Sequence, residues 1–205
     1  VFASSASTLT LTNDIISGCF AYAAGGIAIG SNLHLISTTL VNNRSTVGGG
    51  LLAGTGSVIT ITGGAIISNV ATSSYVGGGG LTIAGGATAV IRNTLIASNT
   101  ATAGRGGGIY SDGTLTIDGS TIQYNTNTGI YSNGPFVLNR STVDHNQTGG
   151  LALNNGGAII LNSTISDNTT AGDGGGLYIA WGPVTLRNVT IADNIADSDH
   201  NGAGT

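Results

Sequence analysis

The chain has 205 residues and a formal charge of −4, from 5 basic against 9 acidic residues, and only 7% of its residues are charged. So few cations cannot neutralise a run of phosphates or hold a polybasic segment on a lipid surface, which excludes nucleic-acid binding and electrostatic membrane anchoring. The most apolar stretch, Phe20 to Ile29, is too short to span a bilayer and contains Gly25 and Gly26, so no membrane insertion is expected.

The chain begins at Val1 rather than Met, which reads as a processed product or a piece of a longer polypeptide. Residues 7–18 (STLTLTNDIISG) alternate threonine and leucine at strand period and form a partial coil. Residues 19–24 (CFAYAA) supply bulk through Phe20 and Tyr22, so 1–24 is read as a partial coil with a candidate N-terminal cap. From residue 25 to 194 one asparagine keeps returning: Asn43, Asn69, Asn99, Asn125, Asn146, Asn168 and Asn194, at intervals of 26, 30, 26, 21, 22 and 26 residues. A period in the twenties is the mark of a solenoid. Residues 195–205 start a further coil or form a tail, and Asp197 to Thr205 carry no bulk that would cap an end. One continuous core is expected, hence a single domain over 1–205.

The coil at 108–125 shows the unit. Gly108 to Ser111 is one short strand, Thr114 to Ile117 a second and Ser120 to Tyr124 a third, separated by Asp112-Gly113 and Asp118-Gly119 and closed by Asn125. With 36 glycines, no Met, Lys or Glu and abundant Thr, Ile, Val and Leu, the composition favours strands over helices. A propeller blade needs a longer period, and a sandwich has no reason to hold one asparagine at a constant phase. A parallel β-helix does, because equivalent residues stack at about 4.8 Å and an Asn column can link its amides from coil to coil. The fold class predicted is all-β: a right-handed parallel β-helix of about seven full coils plus partial terminal coils. Asparagine itself is expected to take the left-handed backbone of the corner.

The segments GGGIYSDGTLTIDGSTIQYNT (106–126), GIYSNGPFVLNRSTVDHNQT (129–148) and GGGLYIAWGPVTLRNVTIADN (174–194) resemble coils of the pectate-lyase-like right-handed parallel β-helix superfamily. More narrowly, they are similar to the repeats of bacterial polymorphic outer-membrane proteins and large surface or secreted proteins. That resemblance implies export, a rod-like passenger, and adhesion or surface structure. It is specific for architecture and nearly silent on activity.

Aligning the coils on asparagine places the side chains. Leu40, Ile66, Ile96, Ile122, Val143, Ile165 and Ile191 form an inward aliphatic column. Tyr110, Tyr131 and Tyr178 share one outward position, interrupted by Ala152. They are either a rib shielding strand backbone or a strip for carbohydrate or protein contact. Asp144, Asp167 and Asp193 lie near one corner and form the candidate patch for a weakly held calcium ion; the alternative is that aspartate before asparagine caps the turn. Arg92 and Asp118 both lie seven residues before their ladder asparagine, so they are expected to pair. Cys19 has no partner within the chain. Six N-glycosylation sequons occur, at Asn43, Asn139, Asn146, Asn162, Asn168 and Asn188, three of them at ladder positions expected to be buried.

No catalytic group, cofactor or resident metal emerges from this pattern. The functional expectation is a non-enzymatic extracellular or cell-surface structural or adhesive protein, associating end to end or continuing into a longer rod. The alternative is a carbohydrate-binding or polysaccharide-lyase-like module with a glycan partner.

Overall fold

The computed structural model describes residues 1–4, 7–72 and 77–200. The last five residues of the expected tail, 201–205, lie outside the described residues. The chain winds as a parallel β-solenoid. Three faces carry one parallel sheet each, and each sheet contains eight strands. The first runs from Phe2–Ala3 to Leu177–Ile179, the second from Thr8–Thr12 to Val184–Arg187, and the third from Ile15–Ser17 to Thr190–Ala192. A shorter fourth sheet joins Arg44–Ser45, Val70–Ala71 and Thr100–Ala101, directly after the ladder asparagines of three successive coils.

Register is constant along the rod. Ile66 pairs with Leu40 below and Ile96 above, and Ile165 with Val143 and Ile191. A strand alternates its side chains between faces, so constant register converts the apolar alternation of each coil into continuous inward columns. Leu40, Ile66, Ile96, Ile122, Val143 and Ile165 are all at most 1% exposed. Each such side chain contributes about 1.5–3 kcal/mol by leaving water.

The first coil differs from expectation. It contributes a strand to all three faces. Phe20 and Tyr22 are 78% and 83% exposed. Their segment runs parallel to the next coil, with Phe20 bridged to Arg44 and Ala24 to Gly48. Residues 19–24 therefore continue the wall and do not cover the end, because backbone pairing with the next coil holds them in line.

The corners also correct the sequence reading. The left-handed residue is the one before each ladder asparagine: Asn42, Ser68, Ser98, Tyr124, His145, Asp167 and Asp193, with φ between 52° and 55°. A second left-handed corner stands at Asn13, Ser37, Gly63, Asn93, Gly119, Arg140, Asn162 and Asn188. Most of these are not glycine, and left-handed backbone costs a non-glycine residue roughly 1–2 kcal/mol. The hydrogen bonds of the following residue hold the chain there.

Candidate functional site

The dominant polar construction is the asparagine column. All seven ladder asparagines point inward. In each of the six steps, the backbone N–H donates to the Oδ1 of the next asparagine at 2.9–3.0 Å. The Nδ2 of the same residue donates to that same oxygen at 2.9–3.1 Å. The other Nδ2 hydrogen reaches a carbonyl of the previous coil, as in Asn125 to Ile96 at 3.1 Å. The first coil has Cys19 at this position; its N–H donates to Asn43 Oδ1 at 3.0 Å, but it has no amide to extend the column downward.

Two further columns escaped sequence reasoning. Gly26, Gly50, Gly80, Gly108, Gly129, Gly150 and Gly176 lie against the ladder amides; a Cβ on any of them would meet an asparagine side-chain atom at 2.7–3.2 Å. The glycine before each apolar pair is there for close approach, so its pairing with asparagine within every coil was the available signal. The second is a hydroxyl column. Thr94 N–H donates to Ser120 Oγ, Ser120 N–H to Ser141 Oγ and Ser141 N–H to Ser163 Oγ, at 3.1–3.2 Å. A Ser or Thr five residues before the ladder asparagine marks it.

The tyrosines share the predicted register: Tyr110 pairs with Tyr131, Tyr131 with Ala152, and Ala152 with Tyr178. They do not form an open strip. Tyr110 and Tyr131 are 5% and 8% exposed, with rings stacked at 5.6 Å and 9°. The guanidinium of Arg105 lies 5.2 Å from the Tyr131 ring centre and donates to its hydroxyl, as does Asn154 Nδ2. Tyr110 Oη donates to Asp112 at 3.0 Å and accepts from Asn133. Burial, reinforced by Asp112, pushes the Tyr110 phenol up to about 12. Covered rings cannot stack on a sugar, so the contact reading fails for this pair. Tyr178 alone stays partly exposed, at 41%.

The aspartates are not brought together as a cation site. Asp144 pairs in register with Ser166, on the strand, and its carboxylate meets His145 Nδ1 at 2.8 Å. Asp167 and Asp193 are exposed left-handed corner residues. Among the described residues no group of three His, Cys, Asp or Glu is placed to hold a metal ion. Asp118 stands in register with Arg92 as expected, but its salt bridge is with Arg140, whose Nε donates at 3.0 Å. The Arg140 hydrogen bonds hold the Asp118 carboxyl below the usual carboxylate range.

The last coil leaves its inward side chains open. Ile179, Leu186 and Ile191 are each 45% exposed, whereas Leu153, Ile160 and Ile165, one coil earlier in the same columns, are at most 4% exposed. Among the described residues, no helix is long and apolar enough to cross a membrane.

No curated protein and no solved structure matches the chain. The family model for the right-handed beta helix region matches residues 25–196. That span begins just before Gly26, the glycine packed on the first ladder asparagine, and ends just past the last one, so the chain belongs to the right-handed β-helix family.

Proposed function

We propose that the chain is a non-enzymatic structural or adhesive rod segment of an exported surface protein, joined end to end to a further coil. That coil belongs either to the same polypeptide or to a second copy. The observation that carries the reading is the terminal face: Ile179, Leu186 and Ile191 continue columns that are buried in every coil between the first and the last. A strand edge with apolar side chains beside unpaired backbone recruits another strand. A weakly charged wall adds little repulsion between copies. Polar chemistry along the rod is engaged in columns rather than converging on one hollow, which favours a scaffold over a catalyst. Electron microscopy with light scattering tests it. The expected result is end-to-end particles that Leu186→Lys with Ile191→Lys disperses while the far-ultraviolet spectrum is kept. Monomers at high concentration that the double variant leaves unchanged, or rods joined side by side, would count against it.

A second reading, carbohydrate binding, draws support from Tyr178 and Trp181, both exposed on the last described coil. Glycan-array binding abolished by Tyr178→Ala would promote it over the scaffold.

A further inference from the structure

Six asparagines of this chain stand in sequons, and the fold sorts them into two kinds. Asn43, Asn146 and Asn168 are ladder members, at most 1% exposed. Asn162 and Asn188 lie on an outer corner and are exposed; half-buried Asn139 stands one position earlier in its own coil, at the end of a strand, and accepts a hydrogen bond from Asn162. We infer that N-linked glycosylation and folding compete for the same amides: Asn43, Asn146 and Asn168 are modification sites that block the fold, whereas Asn162 and Asn188 accept a glycan on the finished rod.

The chemistry is fixed by the amide. In this modification Nδ2 attacks the anomeric carbon of an oligosaccharide carried on a lipid diphosphate. A C–N bond forms as the C–O bond to the diphosphate breaks. The lipid diphosphate leaves, and one amide proton passes to a base of the transferase. The product keeps a single N–H. Asn146 needs both of its hydrogens, for Ile122 O at 3.0 Å and Asn168 Oδ1 at 3.0 Å. Asn168 likewise serves Val143 O and Asn194 Oδ1, both at 2.9 Å. Asn43 serves Ile16 O at 2.9 Å and Asn69 Oδ1 at 3.0 Å. Space is equally decisive. Even a methyl carbon on Gly129 would stand 2.8 Å from Asn146 Nδ2, and one on Gly150 2.8 Å from Asn168 Nδ2. A sugar ring cannot enter where a methyl does not fit.

The outer row has neither constraint. Asn188 Nδ2 donates to Asn162 Oδ1 at 3.1 Å and Asn162 Nδ2 to Asn139 Oδ1 at 3.0 Å. The one hydrogen that glycosylation leaves is enough for that bond, and the side chains face solvent. The consequence concerns biogenesis. A route that adds glycans to the chain before its coils close traps it unfolded, and a route that adds them afterwards decorates only the outer corner.

The test is secretion through the endoplasmic reticulum of cultured cells, with occupied asparagines mapped by deglycosylation and mass spectrometry. The variant carries Ser45→Ala, Thr148→Ala and Thr170→Val, which remove the three ladder sequons without touching an asparagine. Ser45 Oγ has no hydrogen-bond partner and Thr148 is exposed, so both changes are mild. Made in a bacterial cytoplasm, where asparagine stays unmodified, parent and variant should melt together. If the triple variant fails there, Thr148→Ala alone is compared at Asn146. In the endoplasmic reticulum the expected result is parent chain retained with glycans on Asn146 or Asn168, and variant secreted at least tenfold better with glycan on Asn162 or Asn188. Secreted, protease-resistant parent carrying a glycan on Asn43, Asn146 or Asn168 would overturn the inference. So would equal secretion of parent and variant.

Discussion

Replacing Asn125 with leucine removes one rung of the ladder while nearly keeping its shape. The side chain accepts from Asn99 N at 2.9 Å and Asn99 Nδ2 at 3.1 Å, and it donates to Ile96 O and to Asn146 Oδ1. Leucine supplies none of these. Asn146 Oδ1 still receives the residue 125 backbone N–H at 3.0 Å. Two donors of Asn99 are left buried without partners, whereas the Ile96 carbonyl keeps its place in the strand ladder; each orphan costs about 1–3 kcal/mol. The apolar surface that leucine adds recovers about 1–2 kcal/mol. A net loss of roughly 1–4 kcal/mol is expected, a sizeable share of the 5–15 kcal/mol typical of a folded domain. Gln123→Leu, on the outward side of the same strand, is the control and should stay within about 0.5 kcal/mol. Urea melts of both variants measure the difference, and hydrogen exchange locates it. The Asn99 amide should exchange far faster in Asn125→Leu while amides in the first two coils stay protected, because solenoid coils couple chiefly to their neighbours. Equal melting of the two variants, or an unchanged Asn99 amide, would refute the ladder as a source of stability.

The glycine column makes a matched prediction: Gly108→Ala puts a methyl 2.7 Å from Gly129 O and 3.2 Å from Asn125 Nδ2, and should lower stability by about 1–3 kcal/mol in the same urea melts, more than Gly30→Ala, whose Cβ would meet nothing closer than 3.9 Å. Tyr110 supplies a pH test: its folded value, near 12, lies above the ordinary phenol value of about 10. The unfolded chain therefore loses that proton first, so the contribution is complete below about pH 10 and is lost as pH rises towards 12. Tyr110→Phe should flatten stability over that window, and an unchanged alkaline slope would argue against the buried phenol.

What was legible in the sequence is whatever repeats once per coil. Asn125 and its equivalents mark the phase, and Ile122 three residues earlier then has to face inward. What was not legible depends on residues that occur once. Strand alternation sends Tyr110 and Tyr131 outward, but it says nothing of Arg105, which follows the extra short strand Thr100–Ala101 and folds over Tyr131. Register sets Arg92 beside Asp118, yet the long stem of Arg140 lets a guanidinium from the next coil reach the same carboxylate. Asp144 and Asp167 differ by one position within their coils, and a left-handed residue between strand and ladder is enough to send the two carboxylates apart. The glycines were visible throughout, but a close approach to another coil cannot be told from a turn until the coils are superposed.

The amide-to-amide bonds of the ladder all point one way. From Asn43 to Asn168 each Nδ2 donates one hydrogen to the Oδ1 of the next ladder asparagine, and no Nδ2 donates to the Oδ1 of the preceding one. Aligned amide dipoles give the rod an arrow buried along its length. Joining opposite ends keeps that arrow running; joining like ends sets donors against donors. Any fibre assembled by extending the ladder is therefore unidirectional, with two chemically different tips that grow by different rules. At the early tip the arrow is one amide short, because Cys19 offers Asn43 a backbone N–H and no side-chain oxygen for a preceding coil to address.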